Sequence, residues 1–197
     1  MAKNVFISFR YSDGNYYKEY LSNLFDICSD TVDFSEDVDR SNMSDYTIKQ
    51  YLYNKLRRSS VTIILLTPSA VNHKKNRRGA YDDWMYDEIR YSLEDRDGNR
   101  TNGLIAVYTP EAENMLVSKS YFGIVHVKKV DNLFRRNMMN VKQHYKRNPK
   151  SNNFDRNYDS YCSLIEWNEF INNIEMFIDI ATQKRDDIYK YEITKRL

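Results

Sequence analysis

Glycine is scarce in this chain of 197 residues, with only five, and they fit neither the phosphate-cradling P-loop nor the G-x-G-x-x-G dinucleotide fingerprint. Histidine is scarcer. His73, His126 and His144 are scattered without metal-ligand spacing, so no metal site and no resident cofactor are expected. No G-x-S-x-G nucleophile elbow occurs. No apolar run is long enough to span a bilayer, and the short run ending at Phe9 is too brief for a signal peptide's apolar region. The two cysteines, Cys28 and Cys162, allow one disulfide arithmetically. Without a secretion signal, free thiols in a reducing cytoplasm are the expectation. Charge of one sign is also lacking. Thirty basic residues against 28 acidic give +2, which provides no drive toward nucleic acid or an anionic membrane.

What is present is a globular composition, 41% hydrophobic and 29% charged. Tyrosine is abundant, at 17 residues, and suits wet grooves and interfaces as well as a core edge. Lys3 to Phe9 reads as a buried strand. Tyr17, Tyr20, Leu21, Leu24 and Phe25 recur at helical spacing within 15–28. Thr31 to Phe34 alternates as a second strand, and 35–44 is an acidic loop. A helix follows to about Arg57. Val61 to Leu66 is continuously apolar, as in a strand buried on both faces. After a basic stretch at Lys74, Lys75, Arg77 and Arg78 comes a helix over about 81–94. Leu104 to Tyr108 is a fourth strand and Gly123 to Val127 a fifth. The alternation of strands and helices predicts a doubly wound, flavodoxin-like parallel α/β sheet of five strands in the order 2-1-3-4-5. Residues 1–130 form this domain. Residues 131–197 read as a helical extension packed on or beside it. It holds a helix over 132–145 and a long helix from Ser163, with Glu166 at capping-box spacing.

In such a sheet, ligands sit beyond the carboxyl ends of the strands. On the helix over 81–94, Met85, Ile89 and Leu93 form the core stripe, and Asp83, Asp87, Arg90 and Glu94 the solvated face. Glu88 lies on the border, four residues from Trp84. A carboxylate there loses solvation, which can raise its pKa. From spacing alone it is more readily a rim or salt-bridge residue than a catalyst.

Four segments together resemble the TIR domain family over about residues 3–130. They are Val5-Phe6-Ile7-Ser8-Phe9-Arg10 as first strand, the loop at 35–44, the third strand running into Leu65-Leu66-Thr67-Pro68-Ser69, and Trp84-Met85-Tyr86-Asp87-Glu88-Ile89 as a W-x-x-x-E-[IL] helix motif. The whole chain is further similar to the TIR-like proteins of bacterial Thoeris anti-phage defence. The resemblance implies cleavage of the nicotinamide–ribose bond of NAD+ and release of a cyclic ADP-ribose isomer. That diffusible nucleotide would signal to a separate effector protein. NAD+ enters as substrate, and no cofactor is required.

By motif position, Glu88 would stabilise the oxocarbenium-like ribose. Trp84 would stack on a base or ribose, or equally anchor the helix. Phe9 and Arg10 would contact ribose and phosphates, with an ion pair from Arg10 to Asp13 or Asp37 as the alternative. Ser35 and Glu36 open the loop that would gate the site. Ser8 reads as a residue that packs or hydrogen-bonds near the strand end rather than one that touches substrate. The loop at 35–44 lacks the Pro or Gly common there in the family, and Asp37 and Asp39 would repel a pyrophosphate, so activity conditional on a trigger is implied. Two other classes fit the fold: a non-catalytic TIR interaction module that self-associates, and a nucleoside deoxyribosyltransferase-like enzyme.

Overall fold

The computed structural model describes residues 3–27, 31–33, 45–71, 84–95, 100–119, 121 and 125–197, with backbone only at 45, 46, 48, 49, 84 and 125. Its centre is a parallel five-stranded sheet. β1 (Lys3–Ser8), β2 (Thr31–Asp33), β3 (Val61–Leu66), β4 (Gly103–Tyr108) and β7 (Cys162–Glu166) lie in the order β2-β1-β3-β4-β7. β5 (Val117–Lys119) and β6 (Val125–Val127) form a separate antiparallel ribbon.

The strands are apolar on both sides because both faces are covered. One face carries Ile64, Leu66, Leu104 and Ala106, packed on Met85, Ile89 and Leu93 of α4 (Trp84–Leu93) and on Leu133 and Phe134 of α6 (Asn132–Arg136). On the same side Phe6 packs against Leu52 and Leu56 of α2 (Asp45–Arg58) and Tyr91 of α4. The other face carries Val5, Ile7, Ile63, Leu65, Ile105, Val107 and Ile165. It is covered by Leu21 and Phe25 of α1 (Tyr11–Ile27), Trp167 and Phe170 of α7 (Trp167–Asn172), and Phe177, Ile178 and Ala181 of α8 (Ile174–Asp186).

The flavodoxin-like sheet and its order are as expected, but the fifth strand has another source. Among the described residues, 125–127 pair only with β5, and Cys162–Glu166, expected to open a helix, pairs in parallel with Leu104–Tyr108. Glu166 does cap a helix, with its side chain accepting from the amides of Asn168 and Glu169 at 3.0 Å each, but that helix begins after the strand. The segment after 130 therefore completes the sheet as well as covering it. The long helix breaks in two at Asn173.

The helix expected over 132–145 ends at Arg136. There Asn137 turns its side chain to the carbonyls of Leu133 and Thr194, at 2.9 and 2.8 Å, an example of amide side chains competing with helical continuation. Cys162 is a free, buried thiol, and Cys28 lies outside the described residues. Among the described residues no helix is long and apolar enough to cross a membrane.

Candidate functional site

The chain leaves β1 to form β2 on one side and returns to form β3 on the other. The carboxyl ends of β1 and β3 are thus the topological switch point, where an open α/β sheet leaves a crevice.

Glu88 lies toward this end of the sheet, on the helix that covers one of its faces. Its height follows from pairing and hydrogen bonds. Phe6 of β1 pairs with Thr62 of β3. The Thr62 Oγ1 lies 2.8 Å from the Oγ of Ser92 on α4, and the Ser92 hydroxyl donates to the Glu88 carbonyl at 2.7 Å. One helical turn above that level, about 6 Å, comes Glu88. Two residues along β1 from Phe6, also about 6–7 Å, comes Ser8, on the same face as Phe6. Arg10 follows past the end of the strand, where its carbonyl accepts from the Gly14 amide at 2.7 Å as α1 begins.

Glu88 is 8% exposed, so it belongs to the buried side of α4 and not to its solvated face. Arg10 is partly buried. Burial pushes its guanidinium pKa down, and the negative charges of Glu88 and Asp13 oppose that shift. The charges of both carboxylates thus act on this one guanidinium.

Asp13, in the first turn of α1, braces the opposite lip. Its carboxylate accepts from the Thr67 hydroxyl at 2.7 Å and from the Ser69 amide at 2.8 Å, tying the exit of β3 and the short helix α3 (Pro68–Val71) to α1. Burial raises the Asp13 pKa, but the hydrogen bonds from Thr67 and Ser69 outweigh it and the carboxyl lies below its ordinary value. Farther along the same rim the Tyr17 hydroxyl donates to both carboxylate oxygens of Glu111, at 2.9 and 2.7 Å. Burial, followed by that carboxylate, pushes the Tyr17 phenol up to about 12. The Tyr17 ring meets Trp167 edge-on at 4.6 Å. Phe9 packs, partly buried, against the core on the α1 face of the sheet, opposite the face that α4 covers, and its ring centroid lies 4.7 Å from that of Tyr11.

Glu88, Arg10 and Phe9 are therefore gathered at one end of the sheet. Trp84 opens α4, but its side chain, like Ser35, Glu36, Asp37, Asp39 and the basic residues Lys74, Lys75, Arg77 and Arg78, lies outside the described residues. Arg10 shares its surroundings with both Glu88 and Asp13. Asp13, Tyr17 and Glu111 have no motif to announce them. Only the turn after β3, Thr67-Pro68, lay near enough to the strand end to point there.

The expected solvated face of α4 needs one correction. Asp87 and Arg90 are half-buried and paired at 3.2 Å, but Glu94 is buried, and Arg196 donates to its Oε1 at 2.8 Å. Among the described residues no cluster of His, Cys, Asp and Glu has metal-binding geometry. A family model described as Thoeris protein ThsB, TIR-like domain, matches residues 6–114, more than half of the chain and all of the crevice from Arg10 to Glu111.

Proposed function

The chain belongs to the TIR-like domain family of the Thoeris protein ThsB, and on that footing we propose that it is an NAD+ glycosidase and cyclase. Glu88 is its catalytic carboxylate. The observation that carries this reading is a carboxylate only 8% exposed, at the switch point of the sheet, with a partly buried guanidinium beside it.

Cleavage of the nicotinamide–ribose bond leaves positive charge on the ribose carbon and ring oxygen as neutral nicotinamide departs. A fixed anion in a poorly solvated site stabilises that charge more than the same anion in water, because little dielectric screens it. Nicotinamide leaves without protonation, so one carboxylate suffices. Closure by a hydroxyl of the same molecule gives a cyclic ADP-ribose isomer and releases one proton.

Arg10 serves the pyrophosphate, since a guanidinium presents paired donors to phosphate oxygens. Phe9 supplies an apolar surface past the end of β1, Trp84 stacks on base or ribose, and Ser35 belongs to the loop that gates entry. The product signals to a separate effector in phage defence.

The test is turnover of NAD+ by protein taken from phage-infected cells, followed by chromatography of the nucleotide products. The expected result is a cyclic ADP-ribose isomer from the wild type. Glu88→Gln, which keeps shape and removes charge, should lower the rate by a factor on the order of 10²–10³. An unchanged rate removes Glu88 from the mechanism.

A second reading draws on exposed aromatic residues of α1, where Tyr16 and Tyr20, four apart on one side, are 68% and 38% accessible. A TIR module that only binds its own kind would use such a face. Its sign is concentration-dependent self-association that Tyr16→Ala abolishes and Glu88→Gln leaves intact.

A further inference from the structure

The Ser8 hydroxyl is a buried polar group with no hydrogen-bond partner among the described residues, although its residue is only 2% exposed. Buried hydroxyls are nearly always satisfied, because an unpaired one forfeits its bonds to water and gains nothing in return. One that persists unpaired calls for an explanation at its own position. Ser8 is the last residue of β1, paired with Ile64 of β3 at the switch point. It shares a face with Phe6, which packs on α2 and α4, and it stands at the height of Glu88 along that face. Neighbouring hydroxyls on this face are engaged: Thr62 with Ser92, and Ser92 with the Glu88 carbonyl. Ser8 is one pairing step closer to the crevice than that network and takes no part in it.

We propose that Ser8 contacts the substrate, its Oγ hydrogen-bonding an oxygen of the nucleotide sugar that Glu88 also engages. A hydroxyl both donates and accepts, whereas an ionised carboxylate only accepts. A sugar hydroxyl can therefore donate to Glu88 and accept from Ser8 at once, a pairing that neither base stacking nor phosphate binding offers. The site then selects a ribose-bearing nucleotide by satisfying Ser8, and a ligand lacking that oxygen leaves the hydroxyl unpaired. This rests on the NAD+ reading above and adds a residue to it.

The proposal makes an unusual joint demand on one substitution. Removing a hydroxyl that is unsatisfied in the free protein should not weaken the fold, whereas removing one that pairs within the fold should. In Ser8→Ala, kcat/KM for NAD+ should fall at least tenfold, with Tm equal to or above that of the wild type. NAD+ should also bind the Glu88→Gln, Ser8→Ala double variant at least fivefold more weakly than Glu88→Gln alone, by calorimetry, which reads binding without turnover. Ser8→Cys, of similar shape but with a weakly bonding thiol, should follow Ser8→Ala.

Wild-type kcat/KM in both Ser8 variants overturns the proposal, and so does a lowered Tm with unchanged affinity. Absence of any NAD+ binding or turnover by the wild type from infected cells instead overturns the NAD+ reading, and this proposal with it. The two failures are therefore distinct.

Discussion

Lys184 is a cationic side chain held where its charge is disfavoured. It is 3% exposed on α8, and its Nζ donates to the Ser163 hydroxyl at 2.6 Å, which donates in turn to the Arg156 carbonyl. Burial drives its pKa down to about 7, only partly opposed by Cys162 and Asp155. In the unfolded chain the amine titrates near 10.4. Between those values the unfolded state holds the proton and the folded state does not, so this residue makes stability rise as pH rises from about 7 to about 10. Below about 7 both states are charged, and the cost of burying that charge is constant and largest. Lys184→Met, which keeps the stem and drops the amine, is expected to be more stable than the wild type at pH 7. The difference should shrink as pH approaches 10. Urea unfolding at pH 7 and 9.5 checks this, and a variant less stable at pH 7 by the same margin at both values would refute it.

At the scale of elements, the contact between β4 and α8 depends on one glycine. A Cβ on Gly103 would lie 2.3 Å from the Ala181 carbonyl oxygen and 3.0 Å from the Ala181 Cβ, so only hydrogen lets the helix backbone approach the strand this closely. Gly103→Ala must push α8 outward and disturb Phe177, Ile178 and Ala181 in the core it shares with Ile105 and Val107. Overpacking of this kind costs about 1–3 kcal/mol, readable as a lowered urea midpoint. Because α8 covers the face opposite α4, Glu88 should keep its surroundings, and any NAD+ turnover should fall by less than threefold at a temperature where the variant is folded. The shortened α6 and the break at Asn173 also belong to this scale. Apolar spacing ran through both points, and only the contacts of Asn137 with Leu133 and Thr194, and the turn from the Asn173 amide to the Phe170 carbonyl, end the helices there.

For the whole molecule, the placement of β7 decides what can fold alone. Cys162–Glu166 seals the edge of β4 through five paired positions, and Tyr161 is fully buried with its hydroxyl donating to the Asn102 carbonyl at 2.8 Å. A chain cut after residue 130 would expose an apolar edge strand and half of the core facing α7 and α8. Such edges template aggregation. The truncated chain is expected to be insoluble or molten, lacking near-UV circular dichroism, whereas a cooperative thermal transition would show that the first 130 residues suffice.

The parallel order of the first four strands and the core stripe of α4 were legible in the sequence, because strands buried on both faces must be apolar throughout and a helix must turn its apolar line inward. Glu88 was legible as a border carboxylate for the same reason. Tertiary structure alone decided the fifth strand. Cys162–Glu166 and residues 125–127 are both short and apolar, and only long-range pairing with β4 selects between them. It alone brought Arg196 onto Glu94, set Arg10 under the charges of both Glu88 and Asp13, tied Thr67 to Asp13, and left the Ser8 hydroxyl without a partner among the described residues. Local pattern records which residues must leave water. It does not record which distant groups will meet them there, since those contacts join residues tens of positions apart.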